Sequence, residues 1–172
     1  MGKKQEKKGQ ASGCVIPGFL YIGPVSTASD LKFLQAHEIT VILSIGKSPR
    51  RVDEGIRTAD GLKTMTYHRL SLLDDPDADI TRCVDQACEI LDHARSSGAK
   101  VLVHCSAAIS RSPTVVAAYL MSSQGYTLQQ SLDILTAARP AISPNPGFLS
   151  QLQQLEAKLL THAQDVNPVQ MP

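Results

Sequence analysis

Excess charge is nearly absent from this chain. Seventeen Lys and Arg stand against 16 Asp and Glu, a net charge of +1, too little to draw the whole protein toward nucleic acid. Long apolar runs are missing too: none approaches the roughly 18 residues of a membrane span. No basic segment followed by an apolar core opens the chain, so no secretory signal is read there. The four cysteines, Cys14, Cys83, Cys88 and Cys105, form no CxxC pair and no zinc spacing with histidines, which indicates neither a metal site nor a cofactor. Cys83 and Cys88 lie five apart on a helical stretch, an awkward geometry for a mutual disulfide. Reduced thiols, and with them a cytoplasmic or nuclear setting, are the simpler reading. What is present is ordinary for a globular protein: 172 residues, 42% hydrophobic and 19% charged, enough for one domain with its own core.

The ends read differently from the middle. Residues 1–13, MGKKQEKKGQASG, are polar and basic and suit a disordered tail. Met1-Gly2 invites a myristoylation reading, but Glu6 stands where that signal wants Ser or Thr. Residues 162–172 read as a flexible C-terminal tail, leaving 14–161 as the folded unit. Arg50, Arg51 and Lys47 make a small basic patch, read as a solvated loop.

Within the folded unit, strand and helix signals alternate. Apolar runs at 19–22, 41–45 and 101–103 predict strands, and the last two look buried on both faces. Residues 64–70 alternate like a partly exposed strand. Residues 29–36 carry a helical pattern. Ile80, Val84, Ala87, Cys88, Leu91 and Ala94 recur at helical spacing and give one apolar stripe, which Gly98 closes. Thr127 and Gln130 have capping-box spacing, and Pro140 stops the helix that follows. A last helix starts after Pro146. The alternation predicts a single α/β domain: a central, mostly parallel mixed sheet of about five strands flanked by helices.

The informative segment is KVLVHCSAAISRSPTVVAAYLM, residues 100–121. A buried strand runs into His104 and Cys105. A five-residue loop follows: Ser106, Ala107, Ala108, Ile109 and Ser110. Then Arg111, Ser112 and Pro113 open an apolar helix, with Ser112 suited to the N-cap and Pro113 to the first turn. A loop between a strand end and a helix N-terminus turns its N–H groups inward and makes an anion cradle. Arg111 can add a two-pronged grip on phosphate oxygens. The same field favours the thiolate of Cys105, set for in-line attack on phosphorus and a cysteinyl-phosphate that water then hydrolyses. His104 would tune the thiolate through the loop's hydrogen bonds. Ser112 would donate to it and make it a better leaving group.

HCSAAISRS resembles the signature loop of protein tyrosine phosphatases, HCxxGxxR(S/T). VLVHC and RSPTVVAAYLM resemble its dual-specificity branch, especially the small atypical members. Residues 17–23 (PGFLYIG) are similar to that branch's first strands, and Ala138-Arg139-Pro140 with 144–152 (PNPGFLSQL) to its closing helices. The likeness spans roughly residues 14–160. It implies an aspartate, upstream of the cysteine, that protonates the leaving oxygen. Asp74 stands at the matching position, with Asp75 and Asp77 as alternatives, while Asp77 or Asp79 would also cap the following helix. It further implies that Asn145 braces the phosphate loop, although an ordinary turn between two prolines explains that residue equally well.

The implied activity is a cysteine-dependent phosphatase for phosphotyrosine and phosphoserine or phosphothreonine, with phosphoproteins as partners and no set oligomeric state. One departure bears on it: Ala108 stands where the family has glycine, a position that is tight or close to ligand. That substitution keeps open a catalytically weak or inactive phosphate-binding protein. A lipid or RNA phosphatase of the same superfamily ranks lower, because the loop has no lysine.

Overall fold

The computed structural model describes residues 12–46 and 65–166; the basic residues Lys47, Arg50 and Arg51 lie outside them. The chain opens with a hairpin of β1 (Gly13–Ile16) and β2 (Leu20–Pro24). A 3₁₀ turn (Val25–Ser29) and α1 (Leu31–Ala36) follow, and then β3 (Val41–Gly46), β4 (Thr66–Ser71), α2 (Thr81–Ser96) and β5 (Val101–Cys105). Three helices close it: α3 (Arg111–Gln124), α4 (Leu128–Ala138) and α5 (Pro146–Val166).

The strands form one sheet in the order β1-β2-β5-β3-β4. Among the described residues β1 alone runs antiparallel to its neighbour; the other pairings are parallel. The sheet is therefore mixed and mostly parallel, as the alternating pattern predicts. β5 is central, with Val103 opposite Ile22 on one side and Leu43 on the other. All five of its residues are buried, which explains why VLVHC shows no polar alternation.

Helix signals that rest on near neighbours read well. The capping box is complete: Gln130 N–H donates to Thr127 Oγ1 at 3.2 Å, and Thr127 N–H donates to Gln130 Oε1 at 2.9 Å. The α2 stripe faces inward through Cys83, Val84, Ala87, Leu91 and Ala94, each large apolar side chain contributing about 1.5–3 kcal/mol when fully buried. α3 carries no such stripe, because every residue from Ser112 to Met121 is buried. It is the core helix, and Gly125 ends it at φ 75°, a left-handed conformation that glycine takes without strain.

Three boundaries differ from the sequence pattern. β1 begins at Gly13, inside the stretch read as tail, because Gly13 pairs with Ile22. The helical pattern at 29–36 divides into the 3₁₀ turn and α1, because Asp30 takes an extended conformation between them and its Oδ1 accepts from the N–H groups of Lys32 and Phe33. α5 continues to Val166, past the point near Thr161 where the tail was expected.

Candidate functional site

Cys105 is the last residue of β5, and α3 starts six residues later. The loop between them has all five of its carbonyls engaged from outside. Ser106 O accepts from Val25 N–H at 3.1 Å. Ala107 O and Ala108 O accept from Arg139 Nη2 at 2.6 Å and Nε at 2.9 Å. Ile109 O accepts from Ser143 N–H at 2.7 Å, and Ser110 O from Thr114 N–H at 3.0 Å. None of the backbone N–H groups from Ser106 to Arg111 donates to another described residue. Carbonyls spent outward and amides unspent are the polarity of an anion nest, here joined to the positive end of α3.

Arg111 completes the ring. Its Nη2 donates to Ser106 Oγ at 3.0 Å. Its Nε is buried and has no hydrogen-bond partner among the described residues. A buried guanidinium N–H without an acceptor is costly and marks a place where an acceptor belongs.

Cys105 is 4% exposed, and its Sγ accepts from Ser112 Oγ at 3.2 Å. Ser112 therefore stands where a donor to the sulfur is wanted, but it is not the N-cap. Ser110 holds that position and caps no helix N–H; its Oγ instead accepts from Asn145 N–H at 3.0 Å. That tertiary bond uses the hydroxyl that would otherwise cap the helix. His104 is also buried. Its Nδ1 lies 3.3 Å from the Cys105 carbonyl, and since a carbonyl only accepts, Nδ1 carries the hydrogen. Burial pulls the imidazole pKa down, the bond to Cys105 opposes that, and nearby Arg69 adds to it. The ring is thus a neutral donor to the backbone beside the sulfur. Burial pushes the thiols of Cys83 and Cys88 up to about 11 and about 12, so neither is a nucleophile at neutral pH.

The loop that carries Asp74 is tied to this cradle. Asn145 Nδ2 donates to Asp74 Oδ1 at 3.0 Å, while Asn145 N–H holds Ser110 and its Oδ1 accepts from Phe148 N–H at 2.9 Å. Asn145 is therefore brace and turn residue together. The other acidic residues are engaged locally: Asp75 Oδ1 accepts from Asp77 N–H, and Asp79 Oδ1 from the N–H and hydroxyl of Thr81. Of Asp77 and Asp79, it is Asp79 that serves the start of α2, and those bonds hold its carboxyl below the usual carboxylate range.

α5 fixes the same loop twice more. Gln151 accepts from Ile80 N–H at 3.0 Å and donates to Ala78 O at 2.8 Å. A Cβ on Gly147 would fall 1.8 Å from Pro76 O, so the loop packs directly on a bare backbone. Gln151 and Arg139 are the residues that sequence reasoning missed. Arg139 lies in the α4–α5 connection, is 3% exposed, and is pulled down in pKa by burial while the Cys105 charge acts the other way.

Ala108 occupies the left-handed region at φ 53°. It is fully buried within the main core cluster, which also takes in Cys105.

Comparison with known proteins agrees with the geometry. Residues 20–158 match the family described as dual specificity phosphatase, catalytic domain. Dual specificity protein phosphatase 5 of Homo sapiens is 35% identical over 151 residues, covering 87% of this chain and 37% of the relative. This chain thus spans little more than a third of that relative's length. Human DUSP28 superposes with a TM-score of 0.73 at 30% identity, covering 87% of this chain and 95% of that one. The human tyrosine phosphatase-like serine/threonine/tyrosine-interacting protein gives 0.73 at 34% identity, covering 87% and 97%.

Proposed function

The chain belongs to the dual specificity phosphatase family, and on that premise we propose that it hydrolyses phosphotyrosine and phosphoserine or phosphothreonine in proteins through a cysteinyl-phosphate. The observation that carries the reading is the set of unspent donors, the amides of 106–111 and Arg111 Nε, in the loop that follows Cys105 directly. A phosphate dianion would satisfy them together.

The steps follow from the residues. Cys105 Sγ attacks phosphorus, forming S–P while the bond from phosphorus to the side-chain oxygen breaks. Asp74 gives that oxygen its proton. Water then attacks the cysteinyl-phosphate, Asp74 takes the proton back, and S–P breaks to release inorganic phosphate and the thiolate. Arg111 and the loop amides hold the three non-bridging oxygens throughout. Ser112 stabilises the departing sulfur through its hydroxyl, and His104 fixes the Cys105 carbonyl. Exposed Ile109 in the loop and Leu73 beside Asp74 offer apolar contact to a phosphoester side chain. A cytoplasmic or nuclear location, where thiols stay reduced, suits this chemistry.

Phosphate release from a mixed set of phosphotyrosine, phosphothreonine and phosphoserine peptides tests the proposal. Release from all three classes is expected. Tight peptide binding with no release over hours would indicate a phosphate-recognition protein instead, the reading that Ala108 keeps open. Faster release from phosphoinositide than from any peptide would point to a lipid substrate.

A second expectation arises from Gly147. The Gly147→Ala methyl would meet the Pro76 carbonyl and push the acid loop away from the cradle. Turnover should fall by up to about 10²-fold, the cost of misplacing a catalytic group by about 1 Å. Stability should fall by only about 1–3 kcal/mol. Steady-state kinetics beside a denaturant melt separate the two effects.

A further inference from the structure

Ala108 and Arg139 belong to one device. A non-glycine residue held at φ 53° is strained and relaxes to negative φ unless its surroundings forbid it. The φ and ψ of Ala108 are set by the two peptide planes on either side of its Cα. The carbonyls of those two planes are Ala107 O and Ala108 O, the pair that Arg139 grips through Nη2 and Nε. If either plane flipped, a carbonyl would turn into the cradle and an amide would turn out of it. Arg139 is buried, sits behind the loop, and is carried by the connection that also holds Ile109 and Ser110 through Ser143 and Asn145. Its fork reaches two acceptors at once, which a lysine ammonium cannot reproduce.

We infer that Arg139 is a positioning residue whose two bonds hold Ala108 in its left-handed conformation, keeping the cradle open to a dianion in a chain whose loop lacks glycine. The inference rests on the phosphatase reading above. It makes a demand that a merely structural arginine would not meet: the need for Arg139 must depend on the residue at 108.

The test is a cycle of four proteins: wild type, Ala108→Gly, Arg139→Met and the double variant. Each is assayed for kcat and KM on an aryl phosphate and for inhibition by inorganic phosphate. Arg139→Met alone should lower kcat/KM by roughly 10- to 100-fold and weaken inhibition by phosphate. With glycine at 108, which adopts positive φ freely, the same substitution should cost about fivefold less or better, within the range of coupling seen between contacting residues. Arg139→Lys, alone and with Ala108→Gly, repeats the cycle with the charge retained, in case the methionine variant does not fold. It should show a smaller loss, again relieved by glycine.

Equal losses in both backgrounds, or an Arg139→Met protein as active as wild type, would overturn the inference while leaving the phosphatase reading intact. A wild-type protein that neither turns over the aryl phosphate nor binds phosphate would overturn both.

Discussion

Cys105→Ser is expected to abolish phosphate release, with turnover of a generic aryl phosphate falling roughly 10⁴-fold or more, the scale seen when a covalent nucleophile is removed. The change is nearly isosteric at a site that is 4% exposed, so packing should survive. What goes is the nucleophile: a thiolate is the attacking species, and a serine hydroxyl is far too basic to supply the corresponding anion. The anion-binding donors remain, because the amides of 106–111 and Arg111 do not depend on the sulfur. The variant should therefore still bind a phosphopeptide, with affinity within a few-fold of wild type. Cys88→Ala, which removes a thiol that burial keeps protonated, should leave turnover unchanged. Undiminished turnover by Cys105→Ser would reject the mechanism, and a matching melting temperature would show that any loss is chemical rather than structural.

What the sequence made legible was local. Strand, cysteine, five loop residues, arginine and apolar helix stand in one segment, and each predicts its neighbour's geometry. The order fixes a strand end against a helix start, and that alone defines a cradle. The capping box of α4 is legible for the same reason, its two partners being three residues apart. The support of the cradle was not legible. Arg139 reaches carbonyls 31 and 32 residues away, and Gln151 one 73 residues away. Backbone acceptors leave no mark on sequence, because every residue has one. The resemblance covered Arg139 and Gln151 without assigning either a task. The N-cap misreading has a similar origin: Ser110 and Ser112 are both able to cap, and neither does, because Ser110 Oγ accepts from Asn145 N–H and Ser112 Oγ donates to Cys105 Sγ. Ala108 was visible as a departure, but its left-handed φ of 53° and its full burial were not, because both are set by the packing around the loop.

Asp74→Asn should separate substrates by their leaving groups. Four aspartates stand between 74 and 79, and of these Asp74 is the one tied, through Asn145, to the loop that would hold phosphate. Asp75 and Asp79 have their Oδ1 atoms engaged with backbone N–H groups of their own segment. Asparagine keeps the shape of the side chain and loses the transferable proton. A positioned general acid contributes about 10²–10⁴-fold, and the contribution grows with the basicity of the oxygen that must leave. A phenol with pKa near 10 departs with modest help, whereas the alkoxide of serine or threonine is far more basic and needs a proton as the P–O bond breaks. Loss of turnover should therefore be near the upper end of that range for phosphoserine and phosphothreonine peptides, smaller for phosphotyrosine, and smallest for an activated aryl phosphate. Asp75→Asn and Asp77→Asn should lose little on any of them. An equal loss across all substrates would mean that Asp74 acts by holding the loop in place. A graded loss at Asp75 or Asp77 instead would move the proton donor to that residue while leaving the cradle and its nucleophile where they are.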